Sequence, residues 1–225
     1  MTPGAGYPVF LDGEADGAIR QRIARLEAAT GVETVAAVVS RADSYPEIPW
    51  KAFALGASAA ATATFAAALV EPGWGGVAAV IETVVAVLAA GASAALATVW
   101  IAPFARLFLP RARAQAEALQ AAQAMFLEAE LHRTRRRDAV LILVCLFERE
   151  VVVLPDTGLR EKLGAAELEA VIAAVTTRLK RGELRDALLD GLSRIHETLA
   201  AHGFRAQPSE LNELPDAVVQ QRGPS

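Results

Sequence analysis

The feature that most constrains this chain is a stretch almost without charge between Lys51 and Arg106. Only Glu71 and Glu82 are charged within it, and two apolar runs fill it, of 19 residues (52–70) and 23 residues (83–105). A helix needs about 20 apolar residues to cross the hydrocarbon core of a bilayer. Pro and Gly crowd the connector between the runs, and these residues end helices and turn chains. The stretch therefore predicts a transmembrane helical hairpin over residues 50–106.

A pair of buried core helices in a soluble, alanine-rich bundle is the alternative interpretation. A soluble helix normally shows a polar face, and neither run has one. Trp50, Trp74 and Trp100 lie near the predicted helix ends, where interfacial aromatic residues are enriched. Both observations favour the membrane hairpin. Glu82 leaves two readings open: its carboxylate reaches the membrane interface, or it is protonated against the partner helix.

The basic residues predict the orientation of the hairpin. The connector at 71–76 has no Lys or Arg, whereas Lys51, Arg106, Arg111 and Arg113 flank the other end. The positive-inside rule then puts the connector outside and both termini in the cytoplasm. The first residues have neither the basic region nor the apolar core of a signal peptide. A single cysteine, Cys145, suits a reducing compartment.

Outside the hairpin, helical stripes alternate with short apolar strands, which is typical of an α/β domain. We predict three or four strands with helices on both faces, a layered sandwich that the hairpin interrupts. Asp16 is the expected N-cap of the first helix and Gly31 its end. The expected segments are a flexible arm (1–13), the first part of the domain (14–49), the hairpin (50–106), the second part of the domain (107–204) and an extended tail (205–225). The first part has a helix to residue 30 and a strand within 32–41. The second part has helices over 111–134, 165–181 and 183–202 and a strand pair over 139–147 and 150–154.

Several short segments occur along the chain in a recognisable order. They are EAATG (27–31), SYPE (44–47), HRT (132–134), FER (147–149), PDTG (155–158) and NELPD (212–216). Together they resemble the TPM domain family of thylakoid-lumen and photosystem-associated proteins. Their order fits the bacterial membrane form, whose domain is split by two transmembrane helices. Ala139 departs from the family pattern, which has a glycine there.

The resemblance implies a TPM-like α/β sandwich in a bacterial inner (cytoplasmic) membrane. Some plant members of the family are described as acid phosphatases and as factors in photosystem repair. Most bacterial members have no assigned activity. The resemblance therefore supports the fold and the topology better than it supports any chemical activity.

Acidic residues at the ends of strands are the candidates for chemistry, because the standard nucleotide-binding, esterase and zinc-protease motifs are absent. Asp43 follows the first strand and Asp156 the third. If these strand ends converge, the two carboxylates share a cleft and hold Ca²⁺ or Mg²⁺, which could stabilise a phosphate transition state. The alternative is that each carboxylate caps its local backbone, as Asp in turns usually does. Asp190, beside Gly191 in the last predicted helix, is a further candidate, and Cys145 is expected to be a core residue.

Two functions follow as hypotheses. The first is a non-catalytic accessory, assembly or stabilising subunit of an integral membrane protein complex, which the small residues of the apolar runs favour. The second is a membrane-tethered, divalent-cation-dependent phosphatase with Asp43 and Asp156 as metal ligands. The net charge of −4 gives no case for nucleic acid as a partner. The basic cluster is expected either to contact anionic lipid headgroups or to be a solvated helix end. This cluster consists of Arg133, Arg135, Arg136 and Arg137.

Overall fold

The computed structural model describes residues 10–70, 76–160, 162–206 and 218–221. The chain forms two compact units, of which the hairpin unit, Ser44–Arg113, interrupts the other. The interrupted unit, here called the sheet domain, combines Met1–Asp43 with Ala114–Ser225. In chain order, the elements are α1 (Gly13–Thr30), β1 (Thr34–Val39), α2 (Glu47–Val70), α3 (Val77–Trp100), α4 (Ala102–Arg106), α5 (Arg111–Glu128), a 3₁₀ turn (Leu131–Arg133), β2 (Val140–Cys145), β3 (Glu150–Pro155), α6 (Thr157–Arg160), α7 (Ala165–Leu179), α8 (Leu184–Ala201) and β4 (Val218–Gln221).

The described strands form one four-stranded sheet in the order β3-β2-β1-β4. β1 runs parallel to both β2 and β4, whereas β2 and β3 form the antiparallel pair that the sequence predicts. All residues of β1 and β2 are buried, which is the pattern of strands covered on both faces. The α/β sandwich expected from the sequence is therefore confirmed.

The sheet domain has a hydrophobic core on each face of the sheet, because successive side chains of a strand point to opposite sides. On one face, Ile142 and Val144 of β2 pack in a core with residues of α1, α7 and α8. On the other face, Leu143 and Cys145 pack with α5, which contributes Ala118, Ala122, Met125 and Phe126. Helices cover both faces of the sheet.

The boundaries of α1 show which local signals decide a helix. Asp12, not Asp16, is the N-cap, and its carboxylate accepts a hydrogen bond of 2.7 Å from the N–H of Ala15. Asp16 instead lies in the first turn and pairs with Arg20 at 2.7 Å. The predicted end is confirmed, because Gly31 adopts a left-handed backbone with φ 71°. Glycine reaches that conformation without a steric penalty.

Other boundaries differ from the sequence-based expectation. α2 begins at Glu47, before the predicted start of the hairpin at residue 50, because Pro49 in a first helical turn costs no hydrogen bond. α5 ends at Glu128, before the basic cluster, rather than at residue 134. The arm is anchored at its end, since the N–H groups of Phe10 and Leu11 donate to Gln220 Oε1. Gln220 itself belongs to β4, so residues 218–221 of the predicted tail are part of the sheet.

Candidate functional site

The two predicted metal ligands lie at opposite edges of the sheet. Asp43 follows β1, and the end of β1 lies beside the end of β2, since Val39 pairs with Cys145. Asp156 follows β3, whose end Pro155 pairs with Val140 at the start of β2. A strand of six residues spans roughly 20 Å. The expectation of a shared cleft is thus wrong, because an antiparallel third strand carries its last residue away from the ends of β1 and β2.

Asp156 is held by its neighbours at the edge where β2 begins. Its carboxylate side chain is 3% exposed. Oδ1 accepts a hydrogen bond of 2.6 Å from the N–H of Thr157, which caps the start of α6. The Nε atom of Arg137 lies 3.0 Å from Oδ2 and 3.2 Å from Oδ1. The carboxylate therefore joins the start of α6 to the loop that precedes β2.

That loop, Thr134–Asp138, is here called the arginine loop, and it is close to the backbone of α6. Arg137 has a left-handed backbone with φ 56°, and its carbonyl accepts a 2.9 Å hydrogen bond from the N–H of Gly158. A Cβ atom on Gly158 would lie 2.7 Å from the carbonyl oxygens of Arg136 and Arg137. Only glycine allows this approach, which explains the residue at that position of the PDTG segment.

The basic cluster is largely paired within the protein. Arg133 pairs with Glu130 at 2.8 Å, Arg136 with Asp138 at 3.2 Å, and Arg137 with Asp156. Asp138, like Asp156, is a buried acid. Three of the four arginines thus neutralise carboxylates of the sheet domain. The sequence of the basic cluster alone does not reveal this role.

At the opposite edge, the loop after β1 is tied to the turn between β2 and β3. The N–H of Ala42 donates to Glu148 Oε1 at 2.9 Å, and the guanidinium of Arg41 lies 4.2 Å from the centre of the Phe147 ring. Glu148 is 8% exposed. Glu148 is not among the residues predicted from the sequence, because its partner lies 106 residues away. This edge carries Asp43 and Glu148, but the described residues contain no group of three His, Cys, Asp or Glu side chains that could hold a metal ion.

The remaining candidates have structural partners or inaccessible positions. Cys145 is fully buried. Burial raises the pKa of its thiol to about 12, and the nearby carboxylates Glu148 and Glu150 contribute to the rise, so the sulfur is a protonated core atom. Asp190 accepts from Arg178 at 2.8 Å. His202 contacts Glu167, a contact that joins the end of α8 to the start of α7.

Most of the exposed large hydrophobic side chains that the structure describes belong to the hairpin unit. α2 and α3 are long and apolar enough to cross a membrane, by length and composition. They pack through small residues: a Cβ on Gly56 would lie 2.7 Å from the carbonyl oxygen of Ala90, and a Cβ on Gly91 would lie 2.8 Å from the Phe53 ring. Close approach of two helices at small residues is typical of helix–helix contacts in membranes. Glu82 lies on the exposed side of α3, away from this seam.

The outer faces of the two helices differ in character. α3 exposes large aliphatic side chains, among them Val85 and Leu88. α2 exposes fewer large apolar side chains, among them Leu55, Phe65, Leu69 and Val70, and it also exposes a stripe of alanines at i, i+4 and i+7, which we call the alanine stripe: Ala59, Ala63 and Ala66.

The base of the hairpin is fixed by polar contacts. Arg113 pairs with Glu47 at 3.1 Å, and its guanidinium lies 5.7 Å from the centre of the Tyr45 ring. Lys51 donates to the carbonyl oxygen of Phe108 at 3.3 Å. The cations therefore gather where α2 begins. The connector at residues 71–75, including Trp74, lies outside the described residues.

Comparisons with known proteins identify the fold and the family. A family model described as TPM domain matches residues 81–198. The NMR structure of the BA42 protein from the psychrophilic bacterium Bizionia argentinensis superposes with a TM-score of 0.56, at 15% identity, over 97% of this chain and 99% of that chain. At that identity the likeness shows the fold alone. No curated protein matches.

Proposed function

The chain belongs to the TPM domain family, and from that premise we propose that it is a membrane-anchored member, of the bacterial subgroup whose domain is split by a transmembrane hairpin. We further propose that it acts as a non-catalytic accessory, assembly or stabilising subunit of a membrane protein complex. The observation that carries the proposal is the difference between the outer faces of α2 and α3.

Lateral packing in a bilayer depends on shape, because lipid tails are as apolar as Leu side chains. The aliphatic face of α3 suits lipid contact. The alanine stripe on α2 is a smooth face that lets another helix come close, while Gly56 and Gly91 are already used within the hairpin. A subunit that contacts a partner helix through α2 and lipid through α3 would explain why the two helices differ.

The positions of the cations support an orientation with the sheet domain in the cytoplasm. Lys51, Arg106, Arg111 and Arg113 all belong to the base of the hairpin, where α2 begins and α3 has ended. The positive-inside rule assigns such an end to the cytoplasmic side of an inner membrane. Contact of the basic cluster with anionic lipid headgroups stays a prediction, and three of its arginines also have carboxylate partners within the sheet domain.

The test is extraction of a tagged full-length chain from its native membrane in mild detergent, with mass spectrometry of the proteins that accompany it. We expect a stoichiometric set of integral membrane subunits. The double variant Ala59→Leu/Ala63→Leu should reduce their recovery about tenfold, because added methylenes at a close helix contact cost 1–3 kcal/mol. The matched control is Ala86→Leu/Ala89→Leu on the exposed side of α3, which should keep the partners.

Recovery of the wild-type chain as a lone monomer would contradict the proposal. Assays for phosphatase activity with Ca²⁺ or Mg²⁺ would then become the next step, with Asp43→Asn as the first variant. Equal losses in the two double variants would instead show that α2 has no special role in the association.

A further inference from the structure

A cavity of about 260 Å³ opens in the sheet domain between α7 and the turn that joins β2 to β3. It lies at the edge where the parallel strands β1 and β2 end, which is the edge at which α/β sheets commonly bind ligands. Its volume is just below the range of about 300–1,000 Å³ for sites of drug-sized molecules. The cavity thus has room for a small metabolite.

The walls of the cavity combine apolar surface with two cations. Val144, Leu146 and Leu179 are the apolar lining residues, and Arg149, Thr176 and Lys180 are the lining residues with polar side chains.

Local structure explains why the polar groups converge. Thr176 and Lys180 are four residues apart at the end of α7, so both lie on one face of the helix. Arg149 lies in the β2–β3 turn with a left-handed backbone of φ 57°. These three residues place a guanidinium, an ammonium and a hydroxyl around one opening, and all three groups can donate hydrogen bonds.

The two cations differ from most arginines of the sheet domain. Arg136, Arg137 and Arg178 each have a carboxylate partner. Within the described residues, by contrast, neither Arg149 nor Lys180 forms an ion pair or a side-chain hydrogen bond, and both are exposed. The carboxylate next to Arg149 in sequence, Glu148, is directed to the N–H of Ala42.

We propose that this cavity binds a small organic anion with a phosphate or carboxylate head and a short apolar body. The guanidinium of Arg149 provides a planar fork of donors for the head group, and Lys180 provides a point charge. The apolar body contacts Val144 and Leu179. The cavity binds the anion without transforming it: Cys145 is a lining residue, but its side chain belongs to the core on the other face of the sheet.

The experiment is a ¹H–¹⁵N NMR titration of the full-length chain in a non-ionic detergent, with n-butyl phosphate and butyrate as probes. n-Butanol is the uncharged control. Saturable shifts are expected at Arg149, Thr176 and Lys180 with one or both anions, and none with butanol. The affinity should decrease as NaCl is added, because salt screens exposed charges.

Variants separate a specific site from general positive charge. Lys180→Gln should weaken binding of the better probe about tenfold, the effect of losing one charge-assisted hydrogen bond. Arg181→Gln removes the same charge from the next residue, which does not line the cavity, and should change the affinity less than about twofold. Thr176→Leu should weaken binding, because it narrows the cavity and removes a hydroxyl donor without a change in charge.

Three results would each overturn the proposal. They are the absence of saturable shifts with both anions, equal binding of butanol and butyl phosphate, and an Arg181→Gln variant that loses as much affinity as Lys180→Gln. Arg149→Gln is informative only if it folds, since position 149 has an unusual backbone conformation. Lys180→Gln and Thr176→Leu lie at the end of a regular helix and keep the test independent of that variant.

Discussion

The carboxylate of Asp156 is expected to stabilise the sheet domain through a buried contact, and Asp156→Asn tests this. Asparagine keeps one oxygen for the N–H of Thr157, but it loses the charge that faces Arg137 at 3.0 Å. Breaking a fully buried ion pair costs about 3–5 kcal/mol. Arg137 is 47% exposed and can return to water. We therefore expect a smaller loss, about 2 kcal/mol, close to one charge-assisted hydrogen bond.

Asp190→Asn is the matched control. Asp190 also accepts from an arginine Nε, at 2.8 Å, but its side chain is 44% exposed. Exposed pairs contribute about 0–1 kcal/mol. The two substitutions are chemically identical, so their difference measures what the buried position of Asp156 adds, including the weaker hydrogen bond that a neutral oxygen accepts from Thr157.

Cys145 makes the assay possible, since it is the single cysteine of the chain and is fully buried in β2. A thiol reagent reaches it only when the strand opens, so the labelling rate under native conditions measures the free energy of opening. At about 1.4 kcal/mol per factor of ten, Asp156→Asn should accelerate labelling about 30-fold, and Asp190→Asn less than about fivefold. Equal acceleration in both variants would refute the reasoning. A wild-type chain that labels as fast when folded as in urea would show that Cys145 is not shielded.

Further predictions concern backbone contacts, the helix seam and pH. Gly158→Ala should accelerate the labelling of the single cysteine at least as much as Asp156→Asn, because its Cβ would lie 2.7 Å from two carbonyl oxygens of the arginine loop. A labelling rate equal to that of wild type would show that the loop moves aside at little cost. Gly56→Leu should separate α2 from α3, detected as lost cross-linking between introduced cysteines in a cysteine-free background, whereas the same substitution on the alanine stripe should leave the hairpin intact. Hydrogen bonds from His202 and then from the N–H of Gly164 lower the pKa of Glu167 below its ordinary value of 4.5. A lowered carboxyl pKa adds stability above the unfolded pKa, and this stability is lost as pH falls through the folded pKa. The stability advantage of wild type over Glu167→Gln, measured by urea unfolding, should therefore shrink as pH falls below 4.5, and a difference that does not change with pH would contradict the assignment.

The parts of the fold that the sequence predicts are those with strong local signals. Two uncharged runs define α2 and α3, and the apolar segment around β2 predicts a strand buried on both faces. β4 has only four residues, Val218–Gln221, and its partner β1 lies about 180 residues earlier in the chain. A strand that short has no periodic signal, so its place in the sheet is decided by tertiary pairing.

The candidate site was harder to predict because its contacts join distant parts of the chain. Arg137 and Asp156 meet only once β2 and β3 are paired. Glu148 depends on the amide of Ala42, and the cavity depends on how α7 packs on the sheet. The position of Asp156, by contrast, can be predicted from the sequence. A tight turn between two strands implies antiparallel pairing, and that pairing places the end of β3 beside the start of β2.

The parallel pairing of β1 and β2 also explains why a hairpin can interrupt this domain. Parallel neighbours need a long crossover connection, usually with a helix, whereas antiparallel neighbours can be joined by two residues. The chain here returns from Val39 to Val140 with α5 as the covering helix, so any insertion before α5 leaves the sheet register unchanged. The entropy of closing a loop rises only with the logarithm of its length. Lengthening a crossover from about 30 to about 100 residues therefore costs roughly 1 kcal/mol, and less where the added residues are themselves folded. The same insertion between β2 and β3 would replace the turn that holds Glu148 and Arg149, and with it both the contact to Ala42 and one side of the cavity.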